Sequence, residues 1–272
     1  MATKAFAPAK VNLALHVTGQ RADGYHLLDS LVVFADVGDH LTLSPAPDLS
    51  LAVEGPMAAG VPTDGTNLIL KAARFAGLSG GRFALEKHLP AAAGIGGGSS
   101  DAAAALRAVA QMTGTRVPQG TDQLGADVPV CLDPRASRMR GIGEEITPID
   151  GFPTLPAVLV NPGVGVSTPD VFRALDRKDN PALPDVIPPF GGVADCVDWL
   201  GATRNDLEAP ARTLEPVIDR VLGALGDAEL CRMSGSGATC FGLYPDMEAA
   251  RAAAERIRTA YPNWWVAACR LS

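Results

Sequence analysis

Over residues 9–17 the chain alternates. Val11, Leu13, Leu15 and Val17 fall on one side of an extended strand, and Lys10, Asn12, Ala14 and His16 on the other. A turn with Asp23-Gly24 at its corner follows, and residues 25–34 predict a returning strand. Residues 41–44 and 49–53 predict two short strands separated by Pro45 and Pro47. The period then changes to that of a helix over residues 67–77, with Leu68, Leu70, Ala72, Phe75 and Ala76 on its apolar side. Thr66 or Asn67 stands where a cap is needed and Gly77 where the helix must end. Residues 82–89 predict a strand that leads into a glycine-rich loop and an alanine-rich helix containing residues 102–110.

Residues 113–120 are polar and irregular, and residues 138–144 read as a strand and turn. Pro148, Gly151, Pro153 and Pro156 mark a domain boundary, which divides the chain into residues 1–153 and 154–272. The second part opens with a strand at 157–160. A short helix follows near 166–172, with Ser167 or Thr168 as its cap and Pro169 in its first turn. Residues 180–192 form a proline-rich surface loop, and helices are predicted at 193–200 and 214–225. A hairpin spans 229–244 around the turn Ser234-Gly235-Ser236-Gly237-Ala238, and a helix at 246–261 and a strand at 264–271 close the chain. This mixture of helices and hairpins predicts an α+β layer in each half, not one doubly wound parallel sheet.

Composition narrows the class. The 272 residues are 47% hydrophobic and 19% charged, enough to bury a core in each of two modest domains and too apolar for disorder. No apolar run is long enough to span a bilayer. Lys4, Pro8 and Lys10 interrupt the region where a signal peptide needs an apolar core, so a cytoplasmic protein is expected. Five widely spaced cysteines, without a Cys-x-x-Cys pair, fit buried thiols better than disulfides or a zinc site. The formal net charge of −7 argues against a nucleic-acid partner, so an anionic ligand would have to be held by local donors.

The candidate chemistry starts at the loop. Four glycines among Gly94-Ile95-Gly96-Gly97-Gly98 leave the backbone open to close approach, and Ser99 or Ser100 can cap the following helix. Unpaired N–H groups and the positive end of the helix dipole suit a phosphate. A glycine hinge before an ordinary capped helix fits the same residues. No lysine follows the glycines, so this is not a Walker A loop. Asp127 lies in the apolar run Leu124 to Leu132, where a carboxylate needs a partner, a capping role or a catalytic one.

Five motifs together resemble the GHMP kinase superfamily: Pro8-Ala9-Lys10-Val11-Asn12-Leu13, Arg21-Ala22-Asp23-Gly24-Tyr25-His26, the glycine loop through Ala103, Leu124-Gly125-Ala126-Asp127-Val128-Pro129, and Ser234-Gly235-Ser236-Gly237-Ala238. The first two and the Asp127 motif are similar to the branch that acts on a cytidine-diphosphate sugar-alcohol in the non-mevalonate isoprenoid pathway. The resemblance implies a two-domain fold, the first half like ribosomal protein S5 domain 2 and the second a ferredoxin-like plait, with both substrates in the cleft between them. It implies ATP with Mg²⁺, the triphosphate wrapped by Pro90, Ala93, Gly94, Ile95, Gly96, Gly97, Gly98, Ser99 and Ser100. Lys10 and Asp127 match the catalytic pair, and Asn12 and His26 match residues that hold the acceptor. Tyr25 matches an aromatic that stacks on cytosine, Phe172 closes the sandwich, and Thr168 ahead of it belongs with the substrate-binding residues. Ser234, Gly235, Ser236 and Gly237 match the third glycine motif.

The metal ligands stay open. Asp101 or Ser100 is a candidate, and Asp101 equally suits a structural carboxylate in a first helical turn. Residues 111–123 are short for the connection the family has before the Asp127 motif, and Ala92 and Ala93 stand where the family often has glycine. Another acceptor such as mevalonate or homoserine, or a nucleotide- or RNA-binding module without catalysis, are the alternative readings. Neither a membrane nor a nucleic-acid partner is expected, and the protein would be a monomer or homodimer.

Overall fold

A computed structural model describes residues 1–91 and 93–272. Contacts divide the chain into two compact units: residues 1–10, 38–91 and 96–134 in the first, and residues 11–37, 92–95 and 135–272 in the second. Two long strands, β1 (Thr3–Gln20) and β2 (His26–Ser44), pair with each other and contribute residues to both units.

In the first unit the end of β2 pairs antiparallel with β4 (Gly81–Glu86), and β4 pairs parallel with β3 (Leu49–Glu54). The 41–44 segment, expected as a separate strand, is the end of the 19-residue β2. Nothing between residues 34 and 41 forces a turn, because Gly38 is there for packing: a Cβ on it would overlap the Ala7 backbone and lie 2.7 Å from the Pro8 Cα. Three helices belong to this unit: α1 (Leu68–Phe75), α2 (Gly97–Thr113) and α3 (Val128–Leu132). Asn67 caps α1 as its position suggests, its side chain accepting from the Ile69 N–H at 2.9 Å. Leu41, Leu43, Ile69, Phe83, Leu85 and Leu106 are buried in the core.

The second unit begins β5 (Ser137–Gly141) and β6 (Glu145–Pro148), a hairpin whose first strand pairs with the start of β2. β7 (Leu155–Asn161) follows, then α4 (Thr168–Arg173), α5 (Val193–Gly201), α6 (Glu208–Leu214) and α7 (Val217–Ala224). The helix expected over 214–225 is α7, which starts only at Val217 after Pro216 as its N-cap, and α6 ahead of it was not expected. β8 (Leu230–Met233) and β9 (Cys240–Leu243) form the expected hairpin around residues 234–239. α8 (Met247–Ala260) and β10 (Trp265–Leu271) complete an antiparallel order β10-β7-β9-β8. Val158, Val160, Val171, Ile218, Tyr244 and Ile257 belong to the core beneath it.

β1 shows what alternation left open, and two further expectations change. Both faces of β1 are buried between Ala7 and Val17, including Lys10 at 4%, Asn12 at 3% and His16 at 2% exposure. Alternation reports polarity, and here the polar face is enclosed too. The proline-rich loop is not simply a surface loop: Leu183 is buried, its N–H donates to Asp29, and Arg138 donates to the carbonyls of Leu183, Pro184 and Asp185. Arg138 is itself clamped by both oxygens of Asp29, at 2.8 and 2.7 Å. Finally, Cys231 is exposed, whereas the other four cysteines are buried.

Candidate active site

The first unit brings Lys10 and Asp127 together. Lys10 is carried by β1 and Asp127 precedes α3, and their Nζ and Oδ2 atoms are 2.7 Å apart. Asp127 occupies the N-cap position of α3, yet its side chain makes no capping bond, and the second residue of α3 is Pro129, which needs no acceptor. The carboxylate is left for the lysine. The lysine side chain is 6% exposed and the carboxylate 34%, so the pair has one enclosed and one accessible member.

The glycine loop is a true helix entrance, but its cap differs from expectation. Neither Ser99 nor Ser100 caps α2: the N-cap is Gly96, at φ 62°, and no side chain bonds the first turn. The N–H groups of Gly97, Gly98 and Ser99 therefore keep no intrahelical acceptor. A Cβ on Gly96 would sit 3.2 Å from the Lys10 Cβ and 3.4 Å from its Cε, so the open end of α2 rests directly on the Lys10 stem. Gly98 is exposed. Pro90 is buried ahead of the loop, and Ala92 lies outside the described residues.

Under this helix end is a buried ion cluster that sequence reasoning missed. Lys87 Nζ lies 3.0 Å from Asp101 Oδ2 and also pairs with Asp39 Oδ2. Asp39 Oδ1 accepts the N–H groups of His88 at 2.6 Å and Leu89 at 2.9 Å, which fixes the backbone entering the loop. Burial lowers the Lys87 pKa by itself, but the two carboxylates outweigh it and raise the net value. Burial raises Asp101 to about 7 against the opposing pull of Lys87. Its charge inside the strand expected over residues 82–89 was the available signal for Lys87. Two buried oxygens here, Ser100 Oγ and Asp101 Oδ1, have no protein partner. No group of three or more His, Cys, Asp or Glu side chains forms a metal cluster among the described residues.

The second unit joins the two glycine motifs. The Ser234 hydroxyl accepts from the Asn12 N–H at 3.1 Å and donates to the Gly94 carbonyl at 3.0 Å, and the Thr239 N–H donates to the Ala93 carbonyl at 3.1 Å. Ile95 is buried beside them. Asn205, another residue that the sequence did not single out, donates to the carbonyls of Met233 and Gly235. Ser236 Oγ lies 2.7 Å from Thr168 Oγ1, at the start of α4. A Cβ on Gly237, at φ 88°, would meet the Met233 sulfur at 2.7 Å.

Asn12 Nδ2 donates to Ser30 Oγ at 2.8 Å, whereas its Oδ1 is buried without a partner. His26 Nε2 is likewise buried and unpartnered. Burial and then the Lys178 charge lower the His26 pKa, so its ring is neutral near pH 7 and able to donate at one nitrogen and accept at the other. His26 stacks on Phe172, with ring centroids 4.7 Å apart and planes 19° apart, and Tyr25 is 62% exposed. His26 thus leaves a hydrogen-bonding atom free beside the Phe172 ring, a combination suited to a heterocyclic base.

An open helix end beside a lysine–carboxylate pair, on an α+β fold, is an arrangement suited to a small-molecule phosphotransferase. Residues 67–131 match the family described as GHMP kinases N terminal domain, and residues 190–263 match GHMP kinases C terminal. A Dinoroseobacter shibae protein named 4-diphosphocytidyl-2-C-methyl-D-erythritol kinase is 62% identical over 265 residues, covering 96% of this chain and 92% of its own. A protein of the same name from Cereibacter sphaeroides is 55% identical and covers 99% of both chains. A crystal structure of 4-(cytidine 5'-diphospho)-2C-methyl-D-erythritol kinase superposes with a TM-score of 0.78 at 35% identity, covering 99% of each chain. The chain belongs to the GHMP kinases and, within them, to the 4-diphosphocytidyl-2-C-methyl-D-erythritol kinase family. A homoserine kinase from Cytophaga hutchinsonii shares the fold, with a TM-score of 0.68 at 20% identity.

Proposed function

We propose that this chain transfers the γ-phosphoryl group of ATP to the 2-hydroxyl of 4-diphosphocytidyl-2-C-methyl-D-erythritol, releasing ADP, in the non-mevalonate route to isoprenoid precursors. The observation that carries the reading is the contact of Gly96 with Lys10 and of Lys10 with Asp127, because it sets a phosphate-binding helix end against a proton acceptor. Phosphoryl transfer depends on positioning and charge neutralisation more than on covalent chemistry.

In this reading the first-turn N–H groups of α2, with residues 93–98, hold the ATP phosphates. Asp127 accepts the proton of the attacking hydroxyl, and Lys10 stabilises the negative charge that grows on that oxygen. Mg²⁺ suits the site, since this ion binds through one or two protein oxygens plus substrate phosphates, and Ser100 Oγ and Asp101 Oδ1 are unpartnered there. When bound it would neutralise phosphate charge. Asn12 and His26 hold the acceptor through their free polar atoms, and Tyr25 and Phe172 provide faces for the cytosine. Thr168 and Ser236 tie the third glycine motif to the acceptor segment. Residues 1–153 would serve ATP binding and catalysis and also supply Asn12, Tyr25 and His26 to the acceptor, while residues 154–272 would complete acceptor binding. The described residues contain no helix long and apolar enough to cross a membrane, which suits a cytoplasmic enzyme.

The test is direct. Purified protein supplied with ATP, Mg²⁺ and the cytidine acceptor releases one ADP per acceptor phosphorylated. Turnover of mevalonate or homoserine at a higher kcat/KM than this acceptor would replace the assignment.

A further inference from the structure

We infer that Arg107 is a positioning residue that sets the Lys10–Asp127 geometry from the far side of both elements. The inference rests on reading Lys10 and Asp127 as the catalytic pair. Arg107 lies in α2, and its guanidinium reaches the other two elements of the pair at once. Nη1 donates to the carbonyl of Cys131 at 2.6 Å and, more weakly, to that of Leu132 at 3.4 Å, while Nη2 donates to the Phe6 carbonyl at 2.6 Å.

These acceptors are not arbitrary. Cys131 and Leu132 are the last two residues of α3, whose first end follows Asp127, and Phe6 stands four positions before Lys10 on β1. Carbonyls at a helix C-terminus lack intrahelical donors, and a cation is favoured there. α3 is only five residues long and is closed by the Cys131 N–H bonding the Asp127 carbonyl at 3.3 Å. A shift at Cys131 therefore reaches Asp127 through a single turn of backbone. The planar fork fixes the spacing between β1 and α3 in a way that a point charge cannot. Burial lowers the Arg107 pKa and the Asp133 charge opposes this, but a guanidinium stays protonated at physiological pH. The 2.7 Å Lys10–Asp127 contact thus has a second, remote tie between the same two elements.

A mere structural staple would change stability without coupling to catalysis, so the test is a double-mutant cycle in kcat with full-length protein. At a temperature where circular dichroism shows every variant folded, Arg107→Ala is expected to lower kcat about 10- to 100-fold, the scale of an ångström of misplacement, with KM for ATP changed less than about twofold. In an Asp127→Asn background the same change should alter kcat by less than about twofold, because the geometry it maintains no longer serves a base. Equal fold losses in the two backgrounds, or a folded Arg107→Ala with wild-type kcat, would overturn the inference. If Arg107→Ala does not fold, Arg107→Lys keeps charge and stem but not the fork. An intermediate loss of kcat is then expected, and an unchanged kcat overturns the proposal. Asp127→Asn alone reports on the underlying reading: wild-type turnover in that variant removes the catalytic pair and Arg107's role with it, a reduced but measurable turnover leaves Arg107 to be judged by the cycle, and turnover too low to measure leaves it to be judged by the kcat of Arg107→Ala and Arg107→Lys.

Discussion

Gly94 and Gly235 meet backbone to backbone. A Cβ on Gly94 would lie 2.5 Å from the Ser234 carbonyl oxygen, and one on Gly235 would lie 2.7 Å from the Gly94 carbonyl oxygen. Both also have positive φ, 73° and 55°. The first glycine loop and the third glycine motif are thus one packed structure, and their glycines are required by each other before any ligand arrives. Gly94→Ala and Gly235→Ala are expected to lower the melting temperature sharply and to abolish activity. Gly77→Ala, at φ 77° with open space around it, should cost only about the 1–2 kcal/mol of a left-handed residue. Thermal denaturation of the three variants checks the ordering.

Gly98 is the opposite case. It is helical and exposed, and a Cβ on it would make only an ordinary 3.6 Å contact with Leu68 Cδ1. Within the protein, alanine is acceptable there and should stabilise α2 by about 0.5–1 kcal/mol. If the triphosphate lies on this backbone, Gly98→Ala will raise KM for ATP while the melting temperature holds or rises. An unchanged KM would move the phosphates away from Gly98.

The ion cluster beneath α2 predicts a pH dependence. Asp101 has its carboxyl raised by burial to about 7, so the folded chain binds this proton more tightly than the unfolded one. Its contribution to stability is complete below the ordinary carboxylate value and is lost as pH rises through about 7. The unfolding free energy of the wild type, minus that of Asp101→Asn, should therefore fall from about pH 5 to about pH 8, by at most about 1.4 kcal/mol per pH unit. The Lys87 shift acts in the alkaline range, since a raised lysine loses its contribution only as pH climbs through the folded value. Urea denaturation of both proteins across this range measures the difference, and a rising difference would contradict the assignment.

Tyr25 and Phe172 should separate by mutation. Tyr25 is largely exposed, so Tyr25→Ala should leave stability nearly unchanged and raise KM for the cytidine acceptor about 5- to 150-fold, the range for one base–aromatic stack, with KM for ATP unaffected. Phe172 stacks on His26 and packs against the core of the second unit, so Phe172→Ala should lower stability as well as acceptor affinity. Steady-state kinetics with each substrate varied in turn distinguishes the two outcomes.

What the sequence alone determined follows from short-range rules. The Asn67 cap, the Pro169 helix start and the hairpin around residues 234–239 were legible because each depends on neighbours a few residues away. So were the glycine loop and the Lys10 and Asp127 motifs, whose residue types and order resemble one family, although only folding places the two side chains 2.7 Å apart. Tertiary structure decided the rest. Ser99 and Ser100 have the composition of caps, yet the left-handed turn at Gly96 starts α2 without either. Asp39 and Lys87 are 48 residues apart, so although Lys87 stands out as a charge within the expected 82–89 strand, nothing in its local sequence announces which carboxylates it meets. Arg107 reads as one polar residue in an alanine-rich helix until Cys131 and Phe6 present their carbonyls to it. Periodicity records which side of an element is apolar. It cannot record which remote donor a buried polar atom meets, because that partner is selected by packing among segments far apart in the chain.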